Sequence, residues 1–190
     1  MSEAATEVDA RDPLIGQTLQ DRYRIVRRLG TGGMGAVYEG EHLVIKKRVA
    51  IKVLHPQFAT SPEVVARFQQ EALAATAIGH EHIVEVNDMG RLADGALFMV
   101  LEYLAGRDFA DLIEKEGPLT IGRTVHIVSQ MCDALQAAHD KGIVHRDLKP
   151  ENVFLVKRIG NPDFAKVLDF GISKVQDAEA GSMSAMSALR

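Results

Sequence analysis

Val144-His145-Arg146-Asp147-Leu148-Lys149-Pro150-Glu151-Asn152, followed downstream by Leu168-Asp169-Phe170-Gly171, is the stretch on which the reading of this sequence turns. At about one in twenty per position, the eight residues His145 to Asn152 arise by chance in about one chain in 10⁸. No purely structural reading competes with a match of that rarity. Upstream of it, Thr120 starts a long helix whose apolar face is expected to carry Val125, Val128, Met131, Cys132, Leu135 and Ala138, with Gly142 as its stop. A shorter helix from Phe109 to Lys115 closes at Gly117-Pro118. Downstream, the apolar stretches Val153 to Val156 and Ala165 to Leu168 bracket Gly160-Asn161-Pro162-Asp163 and read as a hairpin. Gln176 to Arg190 has no apolar period and reads as loop.

The first half of the chain alternates differently. Met1 to about Gln17 is rich in Ala, Glu, Asp and Thr without periodicity and reads as a flexible leader whose acidic residues are solvated, with order expected from Tyr23. Tyr23 to Val26 and Ala36 to Tyr38 flank a glycine turn as two strands, and Val49 to Leu54 is a third. Ser61-Pro62-Glu63 supplies an N-cap, a first-turn proline and an early acid for a helix through Val65, Phe68, Ala72 and Ala75 that ends at Gly79. Ile83 to Met89 and Ala96 to Tyr103 flank Asp94-Gly95, a hairpin signal. The expected organisation is a leader over 1–17, a five-stranded lobe with one helix over 18–103, a mainly helical second lobe beginning over 104–175, and a loop over 176–190.

With 46% hydrophobic and 25% charged residues and a formal charge of -4, the chain has the composition of a globular α+β protein rather than a disordered one. It lacks a long Lys/Arg block, which disfavours nucleic acid or an anionic membrane surface as partner. Cys132 is the only cysteine, so a reducing compartment suits it, and it reads as a small core residue. The leader has no basic start or apolar run, and no stretch is long and apolar enough to span a bilayer, so the cytoplasm is the expected location.

Gly30, Gly32 and Gly35 form G-x-G-x-x-G, a pattern that on its own is a weak signal. It serves as a tight turn, as a dinucleotide fingerprint, or as a loop folded over nucleotide phosphates. A dinucleotide site needs the last glycine to open a helix and an acid about twenty residues on, whereas Ala36-Val37-Tyr38 continues as strand and the basic Lys52 arrives instead. That favours the loop over phosphates, whose backbone N–H groups approach a ligand that any Cβ would hold away. Lys52 sits at the inward end of the apolar run Val49-Ala50-Ile51, where an unpaired ammonium costs several kcal/mol. A snorkelling lysine is the bland alternative; the phosphate-binding one needs a carboxylate partner, for which Glu71 on the following helix is the candidate.

Phosphoryl transfer makes the whole set intelligible, since one carboxylate can orient an attacking hydroxyl while an amide and a second carboxylate hold metal ions. On these motifs the sequence resembles the protein kinase family from about Tyr23 to Lys174. The resemblance implies a protein-kinase-like fold and a site for ATP and Mg2+. In it, Gly30, Thr31, Gly32, Gly33, Met34 and Gly35 cover the phosphates and Lys52 contacts them while pairing with Glu71. Leu29, Val37 and Ala50 sandwich adenine, Leu101 is the gatekeeper, and the backbones of Glu102 and Leu104 hydrogen-bond the base. Asp147 accepts the substrate hydroxyl proton, Asn152 and Asp169 hold magnesium, and Lys149, within Asp-Leu-Lys-Pro-Glu-Asn, points to the Ser/Thr branch and to a protein substrate. The wording Leu29 to Tyr38 is similar to the bacterial members, and the family also implies self-association.

Two departures shape the expectation. The sequence has no Ala-Pro-Glu motif after Gly171 and none of the later helices of the family's large lobe, so it reads as a truncated kinase domain with several apolar side chains of the long helix left wet. The rival function is an ATP-binding or regulatory fragment that transfers nothing. His80-Glu81-His82 is not a zinc pair, because its two histidines are not one helical turn apart.

Overall fold

The computed structural model describes residues 12–170, and these divide into two compact units: residues 12–68 with 85–104, and residues 69–84 with 105–170. This differs from a strictly sequential division at Tyr103, because most of the first long helix and the segment after it group with the second unit.

The first unit is an antiparallel sheet in the order β1-β2-β3-β4-β6-β5, formed by β1 (Thr18–Leu19), β2 (Tyr23–Thr31), β3 (Gly35–His42), β4 (Arg48–Leu54), β5 (Val86–Arg91) and β6 (Leu97–Glu102). It has six strands rather than the expected five, since the two-residue β1 is too short to show a period. Alternation along the strands sends Tyr23, Ile25, Tyr38, Val49, Ile51, Val53, Phe98 and Val100 into one buried cluster. At about 1.5–3 kcal/mol for each fully buried large side chain, that cluster holds the sheet. The β5–β6 hairpin turns at Asp94-Gly95 as read, the Asp94 carboxylate accepting from Ala96 N–H at 3.0 Å.

Order begins earlier than Tyr23. Gly16 N–H donates to the Ile25 carbonyl and Ile25 N–H to that of Gln17, both at 2.9 Å, and Leu14 and Ile15 pack on the core. Asp12 is not solvated as expected: its carboxylate is 6% exposed and paired with Arg28. Residues 1–11 of the expected leader, and Gly171 with everything after it, lie outside the described residues.

Helix α1 (Pro62–Ile78) starts where Ser61-Pro62 placed it, the Ser61 carbonyl accepting from Val65 N–H at 3.0 Å. After it, Ile83 and Val84 do not open β5; Ile83 bridges Val167 in the second unit, and Val84 N–H donates to the Val167 carbonyl at 3.0 Å. The second unit also holds β7 (Gly106–Asp108), α2 (Phe109–Glu116), α3 (Ile121–His139), β8 (Val153–Arg158) and β9 (Asn161–Val167), with a sheet order β7-β8-β9. Asp108 caps α2 by accepting from Asp111 N–H at 2.7 Å, and Gly117 ends it at φ 71°, a conformation that glycine adopts without strain. Thr120 caps α3 as expected.

The buried face of α3 is only partly the expected one: Ala138 is buried and Met131 packs against the core as read. It carries Ile127, Gln130, Ala134 and Ala138, while Val125 and Val128 are 60% and 40% exposed and Cys132 is exposed rather than in the core. Gln130 takes its inward place because its amide is fully used: Nε2 donates to the His126 and Asp163 carbonyls, and Oε1 accepts from Asn161 and from Ala165 N–H. The hairpin after the long helix is longer than read, and Pro162 lies inside β9, where the missing N–H is tolerated on an edge strand. No helix among the described residues is long and apolar enough to cross a membrane.

Candidate active site

In the first unit the glycine-rich segment joins β2 to β3. Gly30 pairs with Val37 and Thr31 with Ala36 after a register shift that leaves Leu29 unpaired, and Gly32 N–H closes the loop on the Gly35 carbonyl at 2.8 Å. His55, which the sequence did not single out, holds the loop from β4: its N–H donates to the Met34 carbonyl at 3.0 Å and its ring Nε2 lies 3.3 Å from the Gly32 carbonyl. A lone histidine after a strand carries no sequence signal for this. A Cβ added at Gly30 or Gly33 meets nothing within 4 Å, so the outer part of the loop is open to a ligand.

Register then shows which residues share a face. Lys52 lies opposite Val37 on β3 and Met99 on β6, and Ala50 opposite Glu39 and Leu101. Val37, Ala50, Lys52 and Leu101 therefore line the sheet face that looks away from the Ile51–Val53 cluster, and Lys52 is half-buried among them. At the end of β6, Glu102 N–H donates to the Glu85 carbonyl at 3.0 Å and its carboxylate accepts from Glu85 N–H at 2.9 Å, fixing the strand end that leads to Leu104.

In the second unit the motif from His145 to Asn152 is a tightly bonded loop. His145 is 2% exposed; its Nε2 donates to the Leu168 carbonyl at 2.8 Å and its Nδ1 accepts from Asp147 N–H at 3.3 Å, which settles the tautomer. Its ring also rests on Phe170, centroids 4.7 Å apart. The Asn152 amide donates to the Asp147 carbonyl at 2.8 Å and to its carboxylate at 3.3 Å, and Leu168 N–H donates to the Asn152 carbonyl at 2.8 Å. Lys149 Nζ stands 3.4 Å from the Asp147 carboxylate. The buried imidazole thus locks the chain around Asp147 to the segment that delivers Asp169. Arg146 and Asp169 both have left-handed backbones, φ 61° and 46°, a conformation costing non-glycine residues about 1–3 kcal/mol and concentrated at functional sites. Glu71 belongs to α1 in this unit and is half-buried.

Burial holds the His145 imidazole below its ordinary pKa of 6.5, against the opposing pull of the Asp147 and Asp169 carboxylates. Below pH 6.5 the unfolded chain takes up a proton that the folded chain resists, so the stability present above that pH is lost as pH falls through the folded pKa. The melting midpoint should drop more between pH 7.5 and 5.5 for the native chain than for His145→Asn; parallel curves would show that His145 is not the group responsible.

Comparison with known proteins identifies the family. The family model described as the protein kinase domain matches residues 23–188. Serine/threonine-protein kinase Pkn1 of Myxococcus xanthus is 52% identical over 174 residues, which is 92% of this chain and 24% of the relative. PknH of Mycobacterium tuberculosis is 37% identical over 171 residues, 90% of this chain and 26% of the relative. Among solved structures, the Mycobacterium tuberculosis PknI kinase domain superposes with a TM-score of 0.68 at 36% identity, covering 83% of this chain and 62% of that one. The chain thus spans about a quarter of the length of these curated relatives.

Proposed function

The chain belongs to the protein kinase family, and from that premise we propose that it binds ATP with magnesium and carries the catalytic loop for transferring the γ-phosphoryl group to Ser/Thr hydroxyls of proteins. The observation that carries the reading is the bonded cluster of Asp147, Lys149 and Asn152 locked through His145 to the Asp169 segment.

Each residue has a role that its chemistry suits. Asp147, steadied by the Asn152 amide, orients the substrate hydroxyl and accepts its proton. Lys149 beside it offsets charge on the transferring group. With Nδ2 turned to Asp147, Asn152 has its amide oxygen for magnesium, and Asp169 adds a carboxylate. Two hard oxygen donors fit magnesium, which takes few protein ligands and completes its shell with phosphates and water. The described residues hold no cluster of three His, Cys, Asp or Glu able to form an all-protein metal cage. When bound, the metal neutralises phosphate charge. In the first unit, Gly30 to Gly35 cover the phosphates, Lys52 contacts them and pairs with Glu71, Leu29, Val37 and Ala50 enclose adenine, and the backbones of Glu102 and Leu104 read its edge.

The test is the melting midpoint of the chain with and without magnesium and ATP. Ligand at a hundred times its dissociation constant adds about 2.7 kcal/mol, or about 5–10 °C at this size, and the shift should vanish in Asp169→Ala. An unshifted native chain, or an equal shift in the variant, would overturn the reading.

A further inference from the structure

Arg28 on β2 and Tyr38 on β3 face each other as the last regular pair before the register shift at Leu29. Beyond the shift only Gly30–Val37 and Thr31–Ala36 remain before the strands part into the glycine loop. The ladder is weakest there, because the unpaired residue interrupts it at the base of the loop it must hold. One carboxylate spans this weak point. Asp12 Oδ2 accepts from Arg28 Nη1 at 3.2 Å and from the Tyr38 hydroxyl at 3.0 Å, while Oδ1 accepts from Leu14 N–H at 3.1 Å. Its side chain is 6% exposed against 28% for Arg28, so the pairing is screened from water and stronger than a surface ion pair.

A cavity of about 480 Å³ opens beside this link, bounded by Asp12, Arg28, Thr31, Tyr38 and His55. On that side of the sheet, among the described residues, the base of the loop borders this cavity, with the carboxylate tying its two strands together. Residues 12–17 are themselves anchored, through Gly16 and Gln17 to the Ile25 backbone and through Leu14 and Ile15 to the core, so Asp12 pulls from a fixed point.

We propose that Asp12 is a positioning residue for the glycine loop: by clamping Arg28 to Tyr38 it keeps the loop's backbone N–H groups in place over the phosphates of a bound nucleotide. The proposal rests on the ATP reading above. Asp12 touches no ligand and lies on the sheet face opposite Val37 and Lys52, so it acts only through the strands. Loosening the clamp therefore weakens contacts to phosphate most, while adenine keeps Ala50 and the Glu102 and Leu104 backbones, which lie outside the clamped strands.

The experiment is calorimetric titration of the full chain with magnesium-ATP and, separately, with adenosine, for the native protein, Asp12→Ala and Asp12→Asn. Asn keeps the volume and serves as the second variant should Ala fail to fold, but it removes the charge that pairs with the Arg28 guanidinium. Expected is a rise of about 3–10-fold in the ATP dissociation constant, the part of a charged hydrogen bond's worth that reaches the loop, with adenosine within about twofold of native by the same scale. Unchanged ATP affinity, or equal loss for both ligands, would overturn the clamp while leaving the ATP reading intact. A native chain that binds neither ligand would overturn the ATP reading and the clamp with it.

Discussion

Arg123→Ala is expected to lower the stability of the chain by about 2–4 kcal/mol, below the full 3–5 kcal/mol for breaking a buried pair because part of the site is wet. The melting midpoint should fall by about 5–15 °C. Arg123, in the first turn of α3, holds Asp163 on β9 with a two-pronged grip, Nε at 2.7 Å and Nη2 at 2.8 Å, and its third nitrogen reaches Glu116 at the end of α2. Glu116 is also bonded by Arg107 on β7. Four charges thus join β7, α2, α3 and β9, alongside the apolar cluster of Phe109, Leu112, Ile127, Val153, Leu155 and Ala165. The guanidinium holds the Asp163 carboxyl below its ordinary pKa of 3.8, so this stabilisation is present above that pH and is lost as pH falls through the folded value, well below the His145 window.

Removing the arginine leaves Asp163, 12% exposed, charged without its partner. A double-mutant cycle separates that penalty from the worth of the pair. Arg123→Ala with Asp163→Ala should be less damaging than the sum of the single changes, and Arg123→Lys should recover only a minor part, since an ammonium cannot occupy both carboxylate oxygens in the same plane. Additive single effects would show that the grip contributes nothing beyond packing.

The motif from His145 to Asn152 and the glycine loop were legible in the sequence because their chemistry is local: each needs particular residue types at fixed short spacing. Strands β2 to β4 and all three helices were legible for the same reason, their period and caps lying within a few residues. What escaped depends on partners far along the chain. The α3 face was only partly read because periodicity counts apolar residues, and it could not know that Gln130, besides the His126 carbonyl of its own helix, would find partners on Asn161, Asp163 and Ala165. Asp12 looked like one more solvated acid because Arg28 and Tyr38 come to it only when β2 and β3 pair. Ile83 and Val84 continued an apolar run into β5, yet their bonding is to Val167. His55 and β7 left no trace, the first being one histidine and the second only three residues long.

Gly35→Ala should be the most damaging single change to nucleotide binding outside the charged residues, and the contrast with Gly33→Ala shows why. A Cβ at Gly35 would lie 2.2 Å from the Val53 carbonyl oxygen and 3.1 Å from its carbon. Both are backbone atoms of β4 and have no rotamer by which to withdraw. Gly35 is also the residue whose carbonyl closes the loop with Gly32, and it pairs with Leu54, the residue next to His55. Accommodating the methyl group forces β3 away from β4 where both the loop closure and the His55 contacts begin. Overpacking of this kind costs about 1–3 kcal/mol, which, taken from the binding geometry, is about 5–150-fold in dissociation constant. Gly33 is not one of the three glycines of the G-x-G-x-x-G pattern, and a methyl added there meets no protein atom, so ATP affinity should stay within about threefold of native, the scale of the smaller backbone-entropy term. Measured by the same titration, equal affinities for the two variants would mean that the close approach of β3 to β4 does not hold the loop in its binding form.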